Sequence, residues 1–207
     1  MAEIPEILPG SKTKMRKIPL LFLSIFILLF TACKSSRNHS TAASTALRPV
    51  YITNSKKINL LSPENAQVSI DEVQLLNGSF GSTDFLLMSY TQIDSAGINL
   101  ALMNELGADM GNVSYDGAVV IFDSAYFPSQ LPGEYIIADI QNAFYNREAL
   151  KNNYEAAGLT FEEQNNSDAT IRKIIDKKKV IEEITIEAKS VTINNYLRNY
   201  KYVLISE

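Results

Sequence analysis

The 207-residue chain carries 19 basic and 23 acidic residues for a net charge of −4, is 46% hydrophobic, and holds one cysteine and one histidine. The acidic balance disfavours nucleic acid or an anionic bilayer surface as a broad electrostatic partner. One cysteine and one histidine exclude an internal disulfide, a thiolate metal cluster and a histidine-rich metal site.

Lys12, Lys14, Arg16 and Lys17 precede Ile18–Phe30, a run of thirteen residues broken only by Pro19 and Ser24, and Thr31, Ala32 and Cys33 follow. Basic, apolar and small residues in that order form a secretory signal. A spanning helix needs about 20 apolar residues, so a cleaved leader over residues 1–32 is expected rather than a membrane anchor. Met15-Arg16-Lys17 opens a compact leader by itself, which makes Met15 the expected start. Phe30-Thr31-Ala32-Cys33 resembles a bacterial lipobox. That resemblance implies that Cys33 is lipidated and becomes the first residue of the mature protein; the alternative is an ordinary thiol after an uncleaved apolar segment. By resemblance to enterobacterial lipoproteins, Lys34 in place of Asp implies the outer membrane. No acidic stretch follows Lys34, so the periplasmic face is the expected destination.

Residues 33–62 read as the lipidated N-terminus and a flexible tether, because Ser35–Ala46 is rich in Ser, Thr, Ala and Asn without apolar periodicity. His39 lies in this tether, so the domain expected over residues 63–207 contains no histidine. That removes Ser-His-Asp and Cys-His catalysis from it.

Within the domain, Asp71–Asn77 alternates Val73 and Leu75 with Glu72 and Gln74, as a strand with one wet face does. Asn77-Gly78 predicts a hairpin turn into a second strand, Thr83–Ile93. Gly78-Ser79-Phe80-Gly81 is read as part of that turn rather than a phosphate loop, since no helix pattern or Gly-Lys-Ser/Thr ending follows. Thr83–Ile93 is apolar on both faces and predicts cover on both sides. Ile98–Met103, Asn112–Tyr115 and Ala118–Phe122 continue a meander joined by Gly- and Asp-containing turns, the pattern of a strongly curved antiparallel sheet.

Ala125-Tyr126-Phe127-Pro128 follows, and two adjacent aromatics before a proline cannot both point inward from a regular strand. Tyr126 and Phe127 are therefore candidates for an exposed membrane-contact loop; the alternative folds both rings over the sheet edge. Leu131–Ala157 is the one long segment of helical periodicity. Ile136, Ile140, Ala143 and Phe144 share a stripe with Ile137 beside it, while Glu134, Gln141 and Asn142 are expected to project elsewhere. Asn146 is the expected cap of a second helix over Arg147–Ala157, and Gly158 its stop. Strands resume at Leu159–Glu163, Thr170–Ile175, Val180–Ala188, Val191–Ile193 and Tyr200–Ile205. Lys177-Lys178-Lys179 reads as a solvated hairpin tip rather than a binding patch.

Asn104-Glu105-Leu106-Gly107, Tyr115-Asp116-Gly117, Ala138-Asp139-Ile140-Gln141, a short helix ending near Leu150 and the final strands to Ile205 together resemble an uncharacterised family of bacterial outer-membrane lipoproteins. That family is similar to the lipoprotein-localisation proteins LolA and LolB, and the resemblance spans roughly residues 73–206. It implies a mainly β fold with a helical insert: an incomplete antiparallel barrel capped by helices, enclosing an apolar cavity for acyl chains. Phe85, Leu87, Leu100, Phe122, Ile137, Ile140 and Phe144 are the candidate lining, although apolar stripes serve any core. The expected function is holding or transferring acyl chains or another amphiphile. The alternative is a structural or adaptor lipoprotein with a filled barrel that docks onto an envelope complex. Asp139 and Gln141 are expected to make helix-terminal or loop-anchoring hydrogen bonds. No spacing joins two carboxylates with a nucleophile or a calcium loop, so neither catalysis nor a cofactor is expected.

Overall fold

The computed structural model describes residues 49–124, 126 and 132–206. Cys33, His39 and Phe127 lie outside them. Strands β1 (Val50–Tyr51) and β2 (Lys57–Ile58) form a small hairpin, and a 3-10 turn spans Pro63–Asn65. There follow β3 (Ile70–Phe80), β4 (Thr83–Ile93), β5 (Ile98–Met103), β6 (Asp109–Tyr115) and β7 (Val120–Asp123). Helices α1 (Gly133–Phe144) and α2 (Arg147–Ala156) then lead to β8 (Thr160–Asn165), β9 (Ala169–Asp176), β10 (Lys179–Glu187), β11 (Ser190–Asn195) and β12 (Tyr200–Ser206).

The sheet has ten strands in the order β7-β6-β5-β4-β3-β12-β11-β10-β9-β8, antiparallel throughout. Two five-stranded meanders therefore meet along one seam, β3 against β12, and the helices inserted between the meanders cover the inner face. The sheet is not closed, because β7 and β8 do not pair with each other. This is a mainly β domain with two helices, in keeping with an incomplete barrel.

Hairpin turns are set by short polar side chains that bond their own backbone, as Asx turns do. Asp94 Oδ1 accepts from the amides of Ala96 and Gly97, Asn104 Oδ1 from Leu106 and Ala108, Asp116 Oδ1 from Ala118 and Val119, and Asn166 Oδ1 from Asp168 and Ala169. Between β9 and β10 the turn is Lys177-Lys178, both at positive φ, which puts these lysines at a hairpin tip.

The turn expected at Asn77-Gly78 is not there. Both residues lie inside β3, paired with Leu86 and Phe85, and the chain reverses at Gly81, φ +61°. Gly78 serves close approach instead: a Cβ there would come within 2.5 Å of Phe85 Cζ and 2.8 Å of the Lys201 carbonyl oxygen.

On α1, Ile140, Ala143 and Phe144 of the expected stripe are buried, with Ile137 beside them, and Ile136 is half-buried; Gln141 and Asn142 are buried as well. The helix lies between the sheet and the N-terminal segment, so its polar flank has partners to meet. Gln141 Nε2 donates to the Leu61 carbonyl and its Oε1 accepts from the Leu61 amide, both at 2.9 Å. Asn65 and Gln67 continue the clamp by exchanging backbone bonds with Asn146 and Phe144. Val50, Ile52, Ile58 and Leu60 are buried in the same core, so the compact domain begins before the expected boundary at residue 63.

The end of α1 is closed by Arg172, which reaches inward from β9 and is only 4% exposed. Its Nη1 donates to the carbonyls of Asn142 (2.8 Å), Ala143 (3.1 Å) and Tyr145 (3.1 Å), and its Nε pairs with Glu163 at 2.9 Å. A cation on the last carbonyls of a helix satisfies acceptors that the helix cannot satisfy itself. Asn146 then caps α2, accepting from the amides of Glu148 and Ala149, and Gly158 at φ +70° ends it.

Candidate functional site

The seam between the meanders and the α1 helix enclose an apolar cavity of about 50 Å³. Its wall comes from β3 (Leu76, Phe80), β4 (Phe85), β5 (Leu100, Leu102), β6 (Val113), β12 (Tyr200, Tyr202, Leu204) and α1 (Ile136, Asp139, Ile140). Alternation puts these strand residues on one face, and the spacing 136–139–140 puts the helical ones on one stripe. No polar atom faces the cavity. Phe80, Phe85, Ile136 and Tyr202 are only half-buried and form its side toward solvent. Phe80 stacks on Tyr200 and Tyr200 on Tyr202, each with ring centroids 6.2 Å apart.

Behind this wall runs a buried polar chain. Tyr200 and Tyr202 donate to Asp139 Oδ2 at 2.7 and 3.2 Å. Asn195 Nδ2 joins Tyr200 to Glu182 Oε2 at 3.2 and 2.9 Å, Asn142 Nδ2 donates to Glu182 Oε1 at 2.9 Å, and Tyr154 donates to Asn142 Oδ1 at 2.8 Å. Two buried carboxyl groups thus share one hydrogen-bonded network. Burial first, and the charge of Glu182 second, raise the Asp139 carboxyl well above the usual carboxylate range. Burial also pushes Glu182 up to about 7, against the Asn142 and Asn195 amides that favour its ionised form. Arg198 is the cation that offsets both. It stacks 4.0 Å above the Tyr135 ring and donates to the carbonyls of Tyr51 and Ile52.

Of the seven candidate lining residues, Phe85, Leu100 and Ile140 stand in the cavity wall. Leu87 and Ile137 are buried in the surrounding core. Phe122 packs on the start of α1, where a Cβ on Gly133 would come within 2.6 Å of the Phe122 Cβ. Phe144 faces a separate groove with Gln67 and Arg172. Tyr126 is 43% exposed. Tyr200 and Tyr202 share a strand face by their spacing, but their bonds to Asp139 and the place of Glu182 in the network come from the fold. The signal for Glu182 was its parity with Ile184 and Ile186, which points it inward.

Among the described residues no helix is long and apolar enough to cross a membrane, and no group of three or more His, Cys, Asp or Glu could hold a metal ion. The open ten-stranded sheet around two helices, with a paired-carboxyl network behind an apolar cavity, defines a mainly β domain of the α+β class. The chain belongs to the family described as protein of unknown function (DUF3261), whose profile matches residues 71–206. No curated protein matches it.

Proposed function

We propose that the protein is an outer-membrane lipoprotein, anchored through Cys33 on the periplasmic face, whose domain holds the apolar end of an acyl chain or another amphiphile. The observation that carries this reading is the cavity wall: hydrocarbon throughout, with half-buried Phe80, Phe85 and Ile136 between it and solvent. Apolar cavities of this kind stay dry and accept apolar guests. The open sheet with helices against its inner face is also the architecture that a likeness to LolA and LolB implies, and the leader pattern ending at Cys33 supports the anchor.

At about 50 Å³ the cavity is far below the roughly 300–1,000 Å³ of pockets that enclose whole small molecules. The proposed mode is therefore entry of a chain end after the Phe80 and Phe85 rings swing outward. That volume favours the second reading, a filled barrel acting as an adaptor that docks onto an envelope complex. Titration of the full-length protein with a fluorescent fatty acid separates the two. Saturable binding that Ile136→Trp weakens at least tenfold, with the melting temperature kept, is the expected result. No saturable uptake by the folded wild-type protein supports the filled barrel.

A further inference from the structure

The outer face of the sheet is divided. On β8 to β11 it is mainly polar, with Glu162, Gln164, Lys173, Glu183, Thr185, Thr192 and Asn194 around half-buried Ile171, Ile175 and Val180, and Lys173 and Glu183 pair at 3.3 Å. On β12, β3, β4 and β5 the register builds three rows across the strands that are apolar except for Asn77. The central row is Ile205–Leu75–Met88–Met103, with Val203–Asn77–Leu86 on one side and Val73–Tyr90–Ala101 on the other. Val73 is 51%, Leu86 45%, Leu75 41% and Ile205 37% exposed. The next rows outward are polar, Lys201–Ser79–Asp84 at one end and Asp71–Gln92–Asn99 at the other, so the band is bounded and its centre is uncharged. Leu86, Met88 and Tyr90 are the residues that make Thr83–Ile93 apolar on both faces, and no element of the described chain covers the band.

We infer that this band is a membrane-contact face, on which the domain rests against the neutral interfacial region of the bilayer that holds its anchor. The inference builds on the lipid anchor of the proposed function. Strands about 4.8 Å apart and rows about 7 Å apart give the band a footprint of about 300–400 Å², half or less of the roughly 800 Å² per partner of a stable protein interface. A second copy or a separate protein would have to meet the entropy of association from that small area. A surface tethered to the same chain does not, because its effective concentration is already high. Fifteen residues lie between Cys33 and Pro49, where the described chain begins. Extended, they span up to about 50 Å, enough for the face to reach the bilayer. An uncharged band with Tyr90 at its edge suits neutral lipid, where tyrosine keeps its ring in the apolar layer and its hydroxyl in water.

The test uses full-length protein purified from bacterial membranes and reconstituted in vesicles of phosphatidylcholine and phosphatidylethanolamine. Met88→Cys carries an environment-sensitive fluorophore, and Glu162→Cys, on the polar half of the outer face, is the reference. Lipids with a spin label in the upper acyl chain should quench the label at position 88 severalfold more than the label at 162, with no change in 0.5 M salt (a condition chosen to screen surface charge). Leu75→Ser with Leu86→Ser should abolish the difference while the protein stays folded. Equal, weak quenching at both positions in protein whose intact mass includes the lipid overturns the inference and leaves the anchor standing. Energy transfer between copies labelled at 88 that disappears on dilution, together with the quenching, overturns it in favour of a self-interface. If the mass carries no lipid, the anchor fails separately; selective quenching at 88 by vesicles added in excess still supports the face, and its absence removes it.

Discussion

Asp139 and Glu182 set the chemistry of the interior. Each is buried, and each is held above the carboxylate range by burial, Asp139 also by the charge of Glu182. A carboxyl with a raised folded value binds its proton more tightly in the folded than in the unfolded chain. Its stabilisation is complete below the unfolded value, about 4, and drains away as pH rises through the folded value. For Glu182 that window closes at about 7. The domain should therefore melt higher at pH 5 than at pH 8, with up to about 1.4 kcal/mol lost per pH unit and per group inside the window. Asp139→Asn keeps the shape, leaves an oxygen for Tyr200 and Tyr202, and removes the repulsion. Calorimetry across pH 4–9 (a range chosen to span the Glu182 window) should show a flatter profile for this variant and a higher melting temperature at pH 8. A profile as steep as the wild type's would mean that burial does not raise the Asp139 carboxyl.

Among the elements, α1 ties the sheet to the N-terminal segment. It supplies the floor of the cavity through Ile136, Asp139 and Ile140, the clamp on Leu61 through Gln141, and the acceptor for Arg172 at its end. Arg172→Met keeps most of the side-chain volume but leaves three carbonyls and Glu163 without their donor. Urea unfolding should show a loss of about 3–5 kcal/mol, as expected when one member of a buried ionic cluster is removed; a loss below about 1 kcal/mol would show that water replaces the guanidinium. Much of this layer was legible in the sequence: the 136–140–143–144 stripe, the Asn146 cap, the Gly158 stop and the span of β4 all follow from periodicity and local chemistry. Contacts between distant segments were not. Gly78 looks like a turn because Asn-Gly usually makes one, and only the Phe85 ring and the Lys201 carbonyl across the strands explain why glycine stands inside β3. Arg172 and Glu182 share parity with Ile174 and Ile184, so their inward direction was readable, whereas their partners, spread over residues 67–195, were not. The N-terminal hairpin was hidden by short strands and a polar composition, although Val50, Ile52, Ile58 and Leu60 do enter the core.

At the scale of the whole molecule, a sheet of two meanders presents three different surfaces: an inner apolar cavity, a polar outer half and an apolar outer band. The proposed anchor, the cavity and the band converge on one account, a domain kept beside a bilayer and able to take up the end of a lipid chain. Native mass spectrometry of the full-length protein extracted from bacterial membranes in mild detergent tests that account most directly. The account predicts a polypeptide starting at Cys33 with covalently attached acyl groups, together with a second population heavier by one non-covalently bound amphiphile that is lost on activation. A polypeptide that retains the apolar segment before Cys33, carries no acyl groups and binds no amphiphile would contradict it.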